Sequence, residues 1–388
     1  MLSEGPEIRA AALRYLATLR RGPADYRMTE GLGGSLFTAC FAYFVRHLLA
    51  DAARAEDADV LAGAIDAGQD PVTGSWTADR AGAHADHTRA HVDWQLASFA
   101  ESALAALGRP PAHPLRFLEP LHAPDAVRAY LDGLAWARNP WNSGNRALFL
   151  GSLLSSSTSP RGEGSGARAM EAWFEWHDRR ARPSGFWGEG HRSDWYVGMG
   201  GAAHQYLVYH FHRREPPHLR AAVDRVLRMQ YPDGRFWPVP GGGSCYELDA
   251  LEVLAVGRAW SDHRRDEIAE AARRATDVVL SSRNPDGGFC WAARRWFDLP
   301  DAARAVVGPG DLRTRVWTLR ALANAHLLRR EEARRTAWVE GAHPVGVSSV
   351  YDTWFRLLTL ATASRLTSDP RTSGVAWTAV AAPNWGYF

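Results

Sequence analysis

The sequence predicts an all-α protein: an (α/α)6-type toroid of six to seven helical hairpins around a central cavity, built from residues 1–388 as a single domain. Three observations lead there. A turn ending in Gly, then one residue, then an aromatic occurs four times, as QDPVTGSW (69–76), RPSGFW (182–187), QYPDGRFW (230–237) and RNPDGGFCW (283–291). The last three copies lie about fifty residues apart and the first gap is about twice that, the spacing of a repeat built from helical hairpins. The segments before the turns differ in character from those after them.

Before the turns, HLRAAVDRVLRMQ (218–230) and RDEIAEAARRATDVVL (265–280) each carry one apolar stripe and one Arg/Glu face, as half-exposed outer helices do. After the turns come segments apolar on most faces, as buried inner helices are. In chain order the inner candidates are 31–50, 91–107, 142–154, 194–211, 244–260, 311–328 and 348–366. Exposed and buried helices alternating in sequential hairpins close naturally into a ring. Strand-like alternation is nearly absent, and SLLSSSTSPRGEGSGARA (152–169) reads as a loop within the domain rather than a linker.

Composition removes several functions. The formal net charge is +2 and the acids and bases are interspersed, so no basic stripe invites nucleic acid or an anionic membrane. The chain contains no lysine, which excludes Schiff-base chemistry, a pyridoxal phosphate anchor and a Walker A loop. Cys40, Cys245 and Cys290 are far apart, with no CxxC pair. No signal-like start and no run of about 18 apolar residues is present, so a cytoplasmic protein without an integral membrane segment is expected. GxSxG and HExxH are absent, and GMGGAAH (198–204) reads as a small-residue patch for close helix packing.

The turn motif, with Gln in two of its four copies, resembles the QW repeat of the terpenoid cyclase and protein prenyltransferase superfamily. Its local physics is clear: an amide can satisfy backbone groups at a helix end, and each ring buries roughly 150–250 Å² between neighbouring hairpins. GGGSCYELDALEVL (241–254) is similar to a prenyltransferase zinc-site segment, with Cys245 and Tyr246 in place but Gly243 at the Asp position. SSVYDTWFRLLTLA (348–361) resembles the second such segment, with Tyr351 and Thr353 in place and Asp352 where a His would stand. With two of three ligands replaced, neither zinc nor any other cofactor is expected. YDTW (351–354) also resembles the tail of the Asp-rich motif of class II terpene cyclases, keeping Asp352 and Thr353.

A carboxylic acid in an apolar cavity holds its proton toward neutral pH and can act as a general acid. Asp352 is the candidate proton donor, with Asp249 and Glu247 near Cys245 able to share its site; Asp at a helix start also serves as a cap. Trp94, Trp141, Trp195, Trp317 and Trp354 fall near the starts of inner helices, where their faces would meet a cation or a sugar ring or simply pack. Cys245, Tyr246, His204 and Tyr351 complete the expected substrate wall, and Arg313 with Arg315 is a candidate anion site. Glu189, His191 and Asp194, even with His204, match no metal-ligand spacing. The resemblance implies acid-initiated cyclisation or rearrangement of a hydrophobic isoprenoid or polycyclic small molecule. A carbohydrate hydrolase or lyase using Asp249 and Asp352 as paired acids, and a non-catalytic binding scaffold, are the alternatives.

Overall fold

The computed structural model describes residues 4–385 except 53, 79–87, 157–164, 189–194, 294–298, 309, 328–332 and 380–381. The chain runs through α1 (Gly5–Leu19), a meander of β1 (Arg20–Gly22), β2 (Asp25–Thr29) and β3 (Leu32–Gly34), then α2 (Leu36–Leu48), α3 (Arg54–Ala67) and α4 (Arg89–Ala106). It continues through α5 (Pro124–Asp132), α6 (Pro140–Ser156), α7 (Ser165–Arg180), α8 (Tyr196–Phe211), α9 (Leu219–Met229), α10 (Ser244–Trp260) and α11 (Arg265–Leu280). The last part holds α12 (Leu299–Val307), α13 (Leu312–Leu322), the hairpin of β4 (Ala333–Arg335) and β5 (Ala342–Pro344), and α14 (Val350–Leu366).

Among the described residues, six inner helices pack in the cyclic order α2, α4, α6, α8, α10, α14 and back to α2. The two layers follow from the residue pattern. Outer α9 buries Leu219, Ala222, Val223, Val226 and Met229, one helical stripe, and leaves its charges outside. Inner α10 is buried along almost its whole length, from Glu247 to Gly257. The core fills the space between the layers in two large apolar clusters.

The turn motifs pin each hairpin to the next. The Gln230 amide donates to the Gly234 carbonyl (2.9 Å) and to Ala271 of α11 (2.7 Å). Gln69 does the same between Gly74 (2.9 Å) and His113 (2.9 Å). Phe236 and Trp237 are covered by neighbouring elements, Trp237 lying flat on Tyr246 at 3.5 Å between ring centroids. Gly234 has φ 97°, and a Cβ there would overlap the Arg274 carbonyl of α11. Gly287, at φ 90°, meets the Ala11 carbonyl of α1 in the same way, so the last motif joins the end of the ring to its beginning. Glycine alone fits both constraints.

Two expectations are corrected. Segment 311–328 is not an inner helix: α13 lies outside the ring with Leu312, Val316 and Leu319 exposed, because Arg313, Arg315 and Arg320 interrupt its apolar pattern. Short strands do occur, at 20–34 and 333–344, each too short to show alternation in sequence. The first meander also takes up the start of the 31–50 segment, so α2 begins only at Leu36, behind a Ser35/Thr38 capping box.

Candidate functional site

The inner helices enclose a cavity of about 470 Å³, a common size for a small-molecule site. Its wall is largely aromatic, with Phe99, Trp141, Trp237, Tyr246, Trp291, Trp338, Tyr351 and Trp354 all contributing. The rings brace one another: Trp141 meets Tyr246 edge-on at 4.7 Å, and Trp338 tilts against Tyr351 at 4.3 Å. Polar side chains also line the cavity, among them His91, Gln95, Asn139, Asn142, Asn145, His204, Asp249, Glu252, Arg334 and Asn384.

Asp249, in the second turn of α10, reaches this wall with its side chain only 7% exposed. Its Oδ2 has no hydrogen-bond partner among the described residues, and it sits where Gly200 of α8 leaves room for it. Burial raises the carboxyl well above the usual carboxylate range, and the negative charges of Glu252 and Glu247 add to the effect. His204 Nε2 is 3.9 Å from Asp249 Oδ1, but burial pulls the imidazole down to about 3, so at neutral pH it is uncharged. Asp249 is therefore a carboxyl of raised pKa beside a neutral imidazole.

Asp352 is different. It stands three residues past the Ser349 N-cap of α14, and Ser349 Oγ both accepts from its backbone N–H (3.0 Å) and donates to its Oδ2 (2.7 Å). Ser244 Oγ, at the start of α10, donates to Oδ1 (2.7 Å), and Arg334 Nη1 donates to the same oxygen (3.3 Å). His343 Nε2 is 3.7 Å from Oδ2. Burial alone would raise this carboxyl, but the His343 ring, the Arg334 charge and the Ser244 hydroxyl outweigh it and leave Asp352 below the usual range. It is fully buried behind the cavity wall and ties α10, α14 and the β4–β5 hairpin together as an anion.

Glu247 is likewise structural. It forms an ion pair with Arg356 of α14 (2.9 Å), both side chains fully buried, and its Oε2 also accepts the Gly243 N–H (3.0 Å). Burial raises its carboxyl and the Arg356 charge counters part of that rise.

Solved structures carry the same architecture. The apo type II terpene cyclase MstE from Scytonema is 16% identical, with 93% of this chain and 98% of that one covered, at a TM-score of 0.53. The chain shares the fold of a terpenoid cyclase toroid. MstE with its product merosterolic acid A bound, as a single-residue variant, matches at 14% identity over 93% of this chain and 97% of that one, with a TM-score of 0.52. A protein from Actinoplanes is 17% identical over 92% of this chain and 99% of its own, at 0.53. Neither a family model nor a curated protein matches the sequence.

Of the residues singled out in sequence, the toroid brings Cys245, Tyr246, His204, Trp141, Tyr351, Trp354 and Asp249 to the cavity. The others stand elsewhere. Trp94 stacks on Tyr130 (5.3 Å), Trp195 lies under the Arg225 guanidinium (4.4 Å), and Trp317 stacks on Tyr196 (5.6 Å), all away from the cavity wall. Arg313 is exposed on α13, which the ring leaves outside. Glu189, His191 and Asp194 lie outside the described residues. Among the described residues no cluster of three or more His, Cys, Asp or Glu is placed to hold a metal, and no helix is long and apolar enough to cross a membrane.

Sequence reasoning missed Arg334 and His343. They face each other in register on β4 and β5, and the run RREEARR (329–335) reads as a solvated charge cluster. Trp237 and Trp291 carried a signal, being the aromatics that close the third and fourth turn motifs.

Proposed function

We propose that this protein is an acid-initiated cyclase or isomerase acting on a hydrophobic small molecule of isoprenoid or polycyclic type, with Asp249 as the proton donor. The observation that carries the reading is Asp249 itself: a carboxyl raised well above its usual range, buried in the wall of a cavity lined by aromatic rings, with one oxygen that has no partner among the described residues. Asp249 gives its proton to an alkene carbon, forming a C–H bond and a carbocation on the neighbouring carbon. Aromatic rings of the cavity wall stabilise that positive charge as it moves through successive ring closures. Loss of a proton from the final cation ends the sequence, so substrate and product have the same composition and no cofactor is consumed. Positioned general acid catalysis supplies roughly two to four powers of ten in rate.

The fold shared with MstE, a type II terpene cyclase with a bound product in one structure, supports this choice of chemistry. Asp352, a buried, ion-paired anion outside the cavity wall, does not supply the second acid that the paired-acid alternative took from it. The experiment is turnover of linear prenols, prenyl acids and squalene in D₂O, followed by mass spectrometry. A product isomeric with its substrate and carrying one solvent deuterium is expected from the wild type, and none from Asp249→Asn with unchanged circular dichroism. Full turnover by Asp249→Asn would falsify the assignment.

A further inference from the structure

Arg334 is the one arginine in the cavity wall among the described residues, and the acid chemistry proposed above makes no use of it. A cation is costly in an aromatic cavity unless it has work or partners there. Its setting is constructed on three sides. The guanidinium lies 3.5 Å from the Trp291 ring centroid, and Tyr351 stands at 6.0 Å. One N–H group is engaged behind the wall by Asp352 Oδ1 at 3.3 Å. The β4–β5 hairpin holds the stem, with Arg334 in register with His343. A guanidinium has five N–H donors in a planar fork, so this arrangement restrains the plane and leaves further donors on a side chain that lines the cavity and retains 23% exposure.

The neighbouring groups set the charge of what can bind. Cys245 and Tyr351 lie close enough to feel the Arg334 charge, and burial, the largest influence on each, keeps both thiol and phenol protonated. His204 is neutral. Asp352 is an anion and offsets one positive charge, and Glu252, whose negative charge acts on Asp249, is a further acid of the wall. The chain has no lysine to supply another. The pocket therefore offers one planar, preoriented, partly compensated cation, suited to a single planar anion and poorly matched to a group carrying two or more negative charges.

We infer that the molecule held in the cavity is a hydrophobic monocarboxylic acid whose carboxylate seats on Arg334 while its apolar body lies along the aromatic wall toward Asp249. This deepens the cyclase reading and rests on the cavity being the substrate site, but the test reads binding and needs no turnover. Dodecanoate and dodecyl phosphate, below their critical micelle concentrations, and dodecanol, below its solubility limit, are titrated into the full chain by isothermal calorimetry. Dodecanoate binds about 10- to 100-fold more tightly than dodecanol, the contrast expected of a charge-assisted hydrogen-bonded pair. Dodecyl phosphate binds no better than dodecanoate.

Arg334→Gln brings dodecanoate to the level of dodecanol and leaves dodecanol unchanged. Asp352→Asn, which removes the counter-ion, tightens dodecanoate alone; this variant decides the matter if Arg334→Gln does not fold. Asp249→Asn keeps the carboxylate preference, so failure of the acid assignment and failure of this one are separable. The inference is overturned by any of four results: equal binding of acid and alcohol, preference for the phosphate, retention of the preference in folded Arg334→Gln, or no tightening in folded Asp352→Asn.

Discussion

Replacing Arg356 with Met tests how the floor of the ring is held. Arg356 and Glu247 form a pair with no exposed side-chain surface, linking α14 to α10, and Arg356 also donates to the Trp291 carbonyl. Methionine fills comparable space but strands the Glu247 carboxylate. Breaking a buried pair from one side costs about 3–5 kcal/mol, because an uncompensated charge remains in a low-dielectric interior. The pH dependence follows from sign. Burial already raises Glu247 and Arg356 opposes that rise, so without Arg356 the folded-state pKa moves further above the unfolded value. Between those two pKa values the folded state binds the extra proton, and stability grows as pH falls. Urea denaturation followed by tryptophan fluorescence should show the full loss at pH 8 and a smaller one at pH 5. Adding Glu247→Gln to Arg356→Met should recover part of the pH 8 loss. A penalty below about 1 kcal/mol at pH 8, or one indifferent to pH, refutes the reasoning, since surface pairs behave that way.

Gly234→Ala should destabilise the protein by about 1–3 kcal/mol, the cost of a strained backbone position, because φ there is 97° and the added carbon meets the Arg274 carbonyl. A melting temperature equal to that of the wild type contradicts this. Turnover should decline as pH rises through the raised pKa of Asp249, since the proton donor is lost there. A decline already complete just above the ordinary carboxylate pKa of about 4 removes Asp249 from the role.

The toroid was legible because its signals are periodic and local. The stripe of Leu219, Val223 and Val226 marks an outer helix, and the Gly-x-aromatic turns mark where hairpins abut. Segment 311–328 misled because composition alone does not distinguish a moderately apolar exposed helix from a buried one. The site was legible in part. Cys245, Tyr246 and Asp249 fall on one inner helix start and reach the cavity, whereas Asp352, three residues past its cap, turns back into the protein. Which way a carboxylate at a helix start faces depends on partners remote in sequence. Ser244 stands 108 residues from Asp352, and Arg334 reaches it only by way of a three-residue strand pair.

The seam at Gly287 has a consequence for how the chain acquires its shape. Glu7 and Arg283, which meet across it, are 276 residues apart. The apolar side of the first helix, with Ile8, Ala12, Tyr15 and Leu16, packs on α14 as well, so its resting place is complete only when Val350–Leu366 has left the ribosome. Contacts of such separation are slow to form, so a nascent chain stalled short of α14 should present a sticky amphipathic helix to chaperones, and the full chain should not.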